Sequence, residues 1–174
     1  MKLTKTTKID ATADDVWALF AYRFDDADQW MAAVYRSCGL DSQERFEGAT
    51  TAGRIVEGQP DGKGVKATER FVAYDEVAKT CSVRVDPFDT PRVFPLDHMS
   101  LDFSVVDDPD GGSTATWVFG ATLKRWGYVM WPMLRIGMFK AWNQLCEDFQ
   151  HYVETGTPHP RKVAAIEDAR SAIR

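Results

Sequence analysis

Among the ionisable residues of this 174-residue chain, Glu69 stands in the most unusual setting. It falls in Lys66–Tyr74, KATERFVAY, where Ala67, Glu69, Phe71 and Ala73 take alternate positions. Alternate residues of a strand share a face, so this spacing places a carboxylate on an otherwise apolar surface. A carboxylate withdrawn from water has to be paired or protonated. On the functional reading, Glu69 is an acid/base or an anchor for a polar group of a ligand. On the structural reading, it forms an ion pair inside the sheet with Arg54 or Arg84.

His98 is the second catalytic candidate, because a His–Asp couple with Asp97 suits proton transfer. Consecutive strand residues point to opposite faces, however, and His98 shares its face with Ser100 and Asp102. His151 and His159 lie apart from it, and no metal-ligand spacing exists among the three histidines. Cys38, Cys81 and Cys146 show no CxxC spacing, and their apolar neighbours predict buried free thiols. There is no Gly-rich phosphate loop, GxSxG elbow or HExxH helix, so neither a metal nor another cofactor is expected.

Several elements must position these residues. Leu3–Ile9 alternates as an amphipathic strand near a sheet edge. Thr12, with Asp15 three residues on, predicts a capped helix whose inner face holds Val16, Leu19 and Phe20 beside Trp17. A second short helix is expected over Asp25–Trp30. Strands follow at Ala33–Leu40, Thr50–Glu57, Lys66–Tyr74 and Cys81–Asp86, and Pro87–Pro95 reads as irregular. Asp97–Val106 presents Met99, Leu101, Phe103 and Val105 on one face. The turn DDPDGG leads to Ser113–Leu123, which presents Trp117 and Phe119.

Trp126–Glu154 is the longest helical pattern, and Pro132 suits its first turn. Leu134, Met138, Ala141, Leu145, Phe149 and Tyr152 form its apolar stripe, widened by Trp142 and Val153, while Asp148 and Glu147 are expected to face water. Gly156 and Pro158 mark its end. Strands and helices are segregated along the chain, giving an α+β class. Its architecture is a curved antiparallel sheet of about seven strands around the long C-terminal helix. Residues 1–156 are read as this domain and 157–174 as a linker with a short, weakly patterned helical tail that frays or docks loosely.

The stretches ATERFVAYD at Ala67–Asp75, FPLDHMSLDF at Phe94–Phe103 and GGSTATWVF at Gly111–Phe119 resemble the polyketide cyclase/dehydrase and lipid transport group of the SRPBCC superfamily. The opening Ile9–Phe20 is similar to that family's first strand and helix. The resemblance spans Lys2–Glu154 and implies a START-like, birch-pollen-allergen-like helix-grip fold, with a cavity between sheet and long helix. Such cavities imply a sterol, lipid, aromatic polyketide or hormone as occupant, and fold alone does not choose among them.

The residues expected to line that cavity are Glu69, Met99, Leu101, Phe103, Trp117 and Phe119 from the sheet. Leu134, Met138 and Ala141 come from the helix, and Tyr128 and Trp131 stand at its mouth. The first functional expectation is binding of a small hydrophobic ligand. The second is a cyclase/dehydratase using Glu69, with Tyr74, Tyr128 or His98 as a second proton-transfer group. The third is an interaction module with exposed aromatics around Trp126 and Trp131. A net charge of −5 without a basic patch argues against a nucleic-acid partner. No run approaches about 18 apolar residues and the N-terminus lacks a signal-peptide core, so no stable membrane insertion and a cytoplasmic protein are expected.

Overall fold

A computed structural model describes residues 2–40, 44–60 and 64–172. Strand β1 (Lys2–Ile9) leads to helix α1 (Ala13–Trp17), which widens into a π-helical turn over Ala18–Tyr22. A 3-10 turn at Phe24–Asp26 enters the short helix α2 (Ala27–Trp30). Strands β2 (Arg36–Gly39), β3 (Gly53–Glu57), β4 (Lys66–Asp75), β5 (Thr80–Phe88), β6 (Leu96–Asp107) and β7 (Ser113–Leu123) follow. A 3-10 turn at Arg125–Met130 opens into the long helix α3 (Trp131–Thr155), and α4 (Pro160–Ala172) comes after it. The strands form one curved antiparallel sheet in the order β1-β7-β6-β5-β4-β3-β2. This is the expected α+β helix-grip architecture, with β1 at one edge.

Local chemistry sets the element ends. The Thr12 hydroxyl accepts the Asp15 amide at 3.2 Å and donates to the Asp15 carboxylate at 2.7 Å, while Asp107 accepts the Ala13 amide at 2.7 Å. These bonds satisfy amides that would otherwise be orphaned at the start of α1. Gly156, at φ 69°, supplies the left-handed residue that ends α3.

Two bulges change which residues share a face. Between β4 and β5 the register shifts between Phe71 and Ala73, leaving Val72 without a partner. Ala73 is therefore exposed rather than inward, and Tyr74 turns to pack on the core. A second irregularity, between Leu96 and His98, lets Leu96 face inward too. Here Asp97 and His98 do pair, at 2.9 Å, because the bulge removes the strict alternation that would separate them. Strand β5 continues through Pro87, against the irregular segment expected there. Pairing of β5 with β6 ends at Val85, so the missing Pro87 amide falls where only β4 is a neighbour. Strand β2 is correspondingly shorter than the Ala33–Leu40 alternation suggested.

The core is aromatic. Phe20 stacks on Phe103 with centroids 4.0 Å apart, and Trp117 meets Phe149 edge-on at 5.1 Å. Phe103, Trp117 and Phe149 are essentially inaccessible. They seal the end of the interior between α1, the sheet and the C-terminal half of α3.

Asp148, expected to face water, is 1% exposed. Its carboxylate accepts the Ala32 amide at 3.0 Å and lies 2.8 Å from the Arg161 guanidinium. Burial pushes this carboxyl above its ordinary range, against the opposing pull of the Ala32 amide, Arg161 and His159. Lys162, in the first turns of α4, is equally buried and donates to the Val34 carbonyl at 2.5 Å. Arg161 also reaches Glu147 at 2.7 Å. These contacts tie α4 to α3 and to the segment after α2, so the start of the tail is docked through polar groups rather than through its weak apolar stripe. Cys81 and Cys146 are buried as expected, but Cys38 is exposed on the edge strand β2.

Candidate functional site

The interior closes completely around Phe103 and Trp117 but opens into a cavity of about 100 Å³ farther along the sheet. Its floor is Val83 and Val85 on β5, Met99 and Leu101 on β6, and Phe119 on β7. Trp142 and Leu145 of α3 form one wall, and Phe119 stacks on Trp142 at 4.9 Å. Phe20, Phe24, Trp30 and Met31 close the far side. That last wall comes from the segment between β1 and β2, where sequence reasoning placed Phe20 on the inner face of the first helix and gave Phe24 and Met31 no role. The available signal was the density of large apolar residues in short, acidic-started helices that have no other surface to cover.

One ion pair interrupts the apolar lining. Arg54 on β3 is directly opposite Glu69 on β4, and the guanidinium Nε donates to the Glu69 carboxylate at 2.6 Å. A second guanidinium nitrogen lies 2.6 Å from the same oxygen, and a third donates to the Phe24 carbonyl. The guanidinium also lies 4.0 Å over the Phe24 ring. Arg54 is 4% exposed. Glu69 thus faces inward, as its spacing implied, and its partner is the Arg54 named on the structural reading. Gly53 permits this closeness: a Cβ there would stand 2.1 Å from the Glu69 carbonyl oxygen.

The other predicted site residues divide clearly. Met99, Leu101 and Phe119 line the cavity with Glu69, whereas Phe103 and Trp117 belong to the sealed core beside it. Leu134 and Met138 are half-buried on the inner side of α3 but outside the lining. Ala141 is exposed, since the first half of α3 touches the sheet with a narrower strip than its apolar stripe suggested. Tyr128 is 60% exposed and Trp131 half-buried, and neither reaches the cavity. His98 is on the outer face of the sheet, where its Nε2 meets the Thr122 hydroxyl at 3.2 Å. It is thereby separated from Glu69. Tyr74 faces inward but packs on Trp17 and Phe71, and burial together with Tyr22 and Glu76 pushes its phenol up to about 12. Arg54 and Glu69 are the titratable side chains in the described lining.

This geometry suits retention of a compact apolar group better than proton transfer. The lining offers flat aromatic and branched aliphatic surface, while its carboxylate is already engaged by a buried guanidinium. The volume sets the scale: an apolar cavity of about 150 Å³ accommodates benzene, whereas sites for drug-sized ligands run from about 300 Å³ upward.

Known proteins place the fold. A START superfamily protein from Mycobacterium smegmatis superposes with a TM-score of 0.68 at 13% identity, covering 90% of this chain and 99% of that one. XoxI from Bacillus cereus gives a TM-score of 0.61 at 15% identity over 89% and 94% of the two chains. The ginseng major latex-like protein 151 from Panax ginseng gives 0.59 at 15% identity over 87% and 96%. No curated protein matches the sequence. The sequence profile described as polyketide cyclase / dehydrase and lipid transport matches residues 1–150, which include every strand, the cavity and most of α3. The chain belongs to the polyketide cyclase / dehydrase and lipid transport family.

Proposed function

We propose that this protein binds a small hydrophobic ligand in the cavity between the sheet and α3, and that it acts as a carrier or receptor rather than as a cyclase. The observation that carries the reading is an apolar cavity interrupted by one satisfied ion pair. Apolar burial supplies the affinity, at about 25 cal/mol per Å² removed from water. Arg54 and Glu69 mark the charged spot of the described lining, toward which a ligand's hydroxyl or carbonyl would be oriented. A cyclase or dehydratase needs a titratable group free to exchange protons with the substrate. The engagement of Glu69 by Arg54, and the placing of His98 on the opposite face, favour binding instead.

Native mass spectrometry of the purified protein, paired with thermal shifts in the presence of aromatic probes from toluene to naphthalene, tests this. A retained adduct or a saturable rise in Tm is expected. Leu101→Trp, which fills the cavity, is expected to abolish both. An adduct-free protein that no apolar probe stabilises would overturn the reading, as would a Leu101→Trp variant that binds like the wild type.

A further inference from the structure

The first half of α3 carries a second apolar face, turned away from the sheet. Met133 is 63% exposed, Ile136 75% and Phe139 48%, and Val129 in the preceding turn is 87% exposed. Pro132, Arg135, Ile136 and Phe139 border one shallow groove on this face. The opposite side of the same turns carries Leu134 and Met138, which are half-buried. A helix apolar on both sides is ordinarily covered on both. Trp126 and Tyr128 extend the exposed face at its N-terminal end. The Pro95 carbonyl accepts the Lys124 amide at 2.9 Å, which ties the strand end after Arg92 and Val93 to the segment that leads into α3.

Charge shows what kind of surface covers this face. Residues 124–146 contain Lys124, Arg125, Arg135 and Lys140 and no acidic residue, in a chain of net charge −5. We propose that this face docks reversibly on an anionic lipid surface. Aliphatic side chains at helical spacing, flanking cations and interfacial Trp and Tyr are the combination that lies in a headgroup layer. Lys140, between Met133 and Ile136 around the helix, can extend its stem along the acyl boundary and keep its ammonium among the phosphates. Among the described residues no helix is long and apolar enough to cross a membrane, so attachment would be peripheral. A two-fold contact centred on Ile136 would instead bring Arg135 and Lys140 of the two copies together with no acidic residue of 124–146 to offset them. The inference does not rest on occupancy of the cavity.

Cosedimentation of the full chain with sucrose-loaded vesicles tests it, comparing pure phosphatidylcholine with a mixture containing 30% phosphatidylserine. Binding is expected on the anionic vesicles and to fall steeply with salt. Each cation near such a surface contributes roughly fivefold in affinity. Arg135→Glu with Lys140→Glu is therefore expected to weaken binding at least about 25-fold, and Val129→Asp with Ile136→Asp at least tenfold. All four side chains are largely exposed, so the melting temperatures of both variants should match the wild type, and the wild-type salt dependence gives a readout independent of any variant. Equal binding to neutral and anionic vesicles, no binding to either, or variants that bind like the wild type would refute the proposal. So would a wild-type dimer in sedimentation equilibrium that Val129→Asp with Ile136→Asp dissociates, since a second copy would then cover the face.

Discussion

Replacing Glu69 by Ala leaves the Arg54 guanidinium inside the protein without its counter-ion. Arg54 is 4% exposed, and the Glu69 side chain is 14% exposed. Breaking a buried pair from one side costs about 3–5 kcal/mol, because the surviving charge stays desolvated. Two features place Glu69→Ala near the lower end. The Phe24 carbonyl and ring continue to hold the guanidinium, and the partial exposure of Glu69 gives water a path to the vacated side. A loss of about 3 kcal/mol follows, or roughly 6–12 °C in Tm for a chain of this size. Arg54→Met should cost about 2–3 kcal/mol by the same reasoning. Arg54→Met combined with Glu69→Leu removes both charges and keeps the volume, so it should fall within about 1 kcal/mol of the wild type. Urea denaturation of the wild type, Arg54→Met, Glu69→Leu and the double variant closes the cycle and measures the coupling, with m-values compared to check that the unfolded states match. Additive losses, or a Glu69→Ala variant within about 1 kcal/mol of the wild type, would show that the pair is not what holds Glu69. The structural case against a catalytic Glu69 would then be lost.

The buried Asp148 gives a pH-dependent contrast. Its carboxyl is raised by burial, so its contribution to stability is full below the ordinary carboxylate range and is lost as pH rises through the folded value. Asp148→Asn, which keeps an acceptor for the Ala32 amide, should therefore gain stability relative to the wild type between pH 3 and pH 7 in urea titrations. Asp148→Ala orphans that amide and should lose about 1–3 kcal/mol in the same assay at pH 7. Burial pushes the Cys81 thiol far up and the Cys146 thiol up to about 12, so Ellman's reagent at pH 8 should titrate only Cys38 in the native protein and all three thiols in denaturant. Gly53→Ala would drive a Cβ into the backbone of β4 beside the ion pair. A loss of about 3 kcal/mol or more is expected in thermal or urea unfolding.

The parts of this fold that sequence reveals are those governed by local rules. The alternation of Met99, Leu101, Phe103 and Val105, the Thr12 cap, and the Gly156 stop each depend on neighbours within a few residues, and each is found as expected. What escaped depends on partners distant in sequence. Counting by twos put Ala73 inward, because a bulge at Val72 leaves no mark in the alternation itself. Asp148 sits on the polar side of a helical wheel. It becomes buried only because Ala32 and Arg161 come to it from segments more than ten residues away. Ala141 fits the apolar stripe of α3, yet that stripe extends beyond the surface the sheet offers. The far wall of the cavity was missed for a similar reason: Phe24, Trp30 and Met31 are apolar in any reading, and only the packing of the segment around α2 makes them lining.

At about 100 Å³ the cavity is smaller than the roughly 150 Å³ that holds benzene, so even a ring the size of toluene enters only as a wall gives way. A phenyl-sized group buries about 150 Å², which yields about 4 kcal/mol before any association cost. That corresponds to millimolar binding at best. Tighter binding needs more buried surface, and so a displaced wall. The floor belongs to the central strands β5, β6 and β7, each hydrogen-bonded on both sides. The Trp142 and Leu145 wall leads directly into the turns anchored by Phe149 and Asp148. Before Trp142 the constraint weakens: from Pro132 to Ala141 only Leu134 and Met138 are even half-buried, and a Cβ added at Gly137 would meet nothing within 4 Å. The first half of α3 is thus the element whose displacement gives up the least packing, and it is the same element that carries the cationic apolar face.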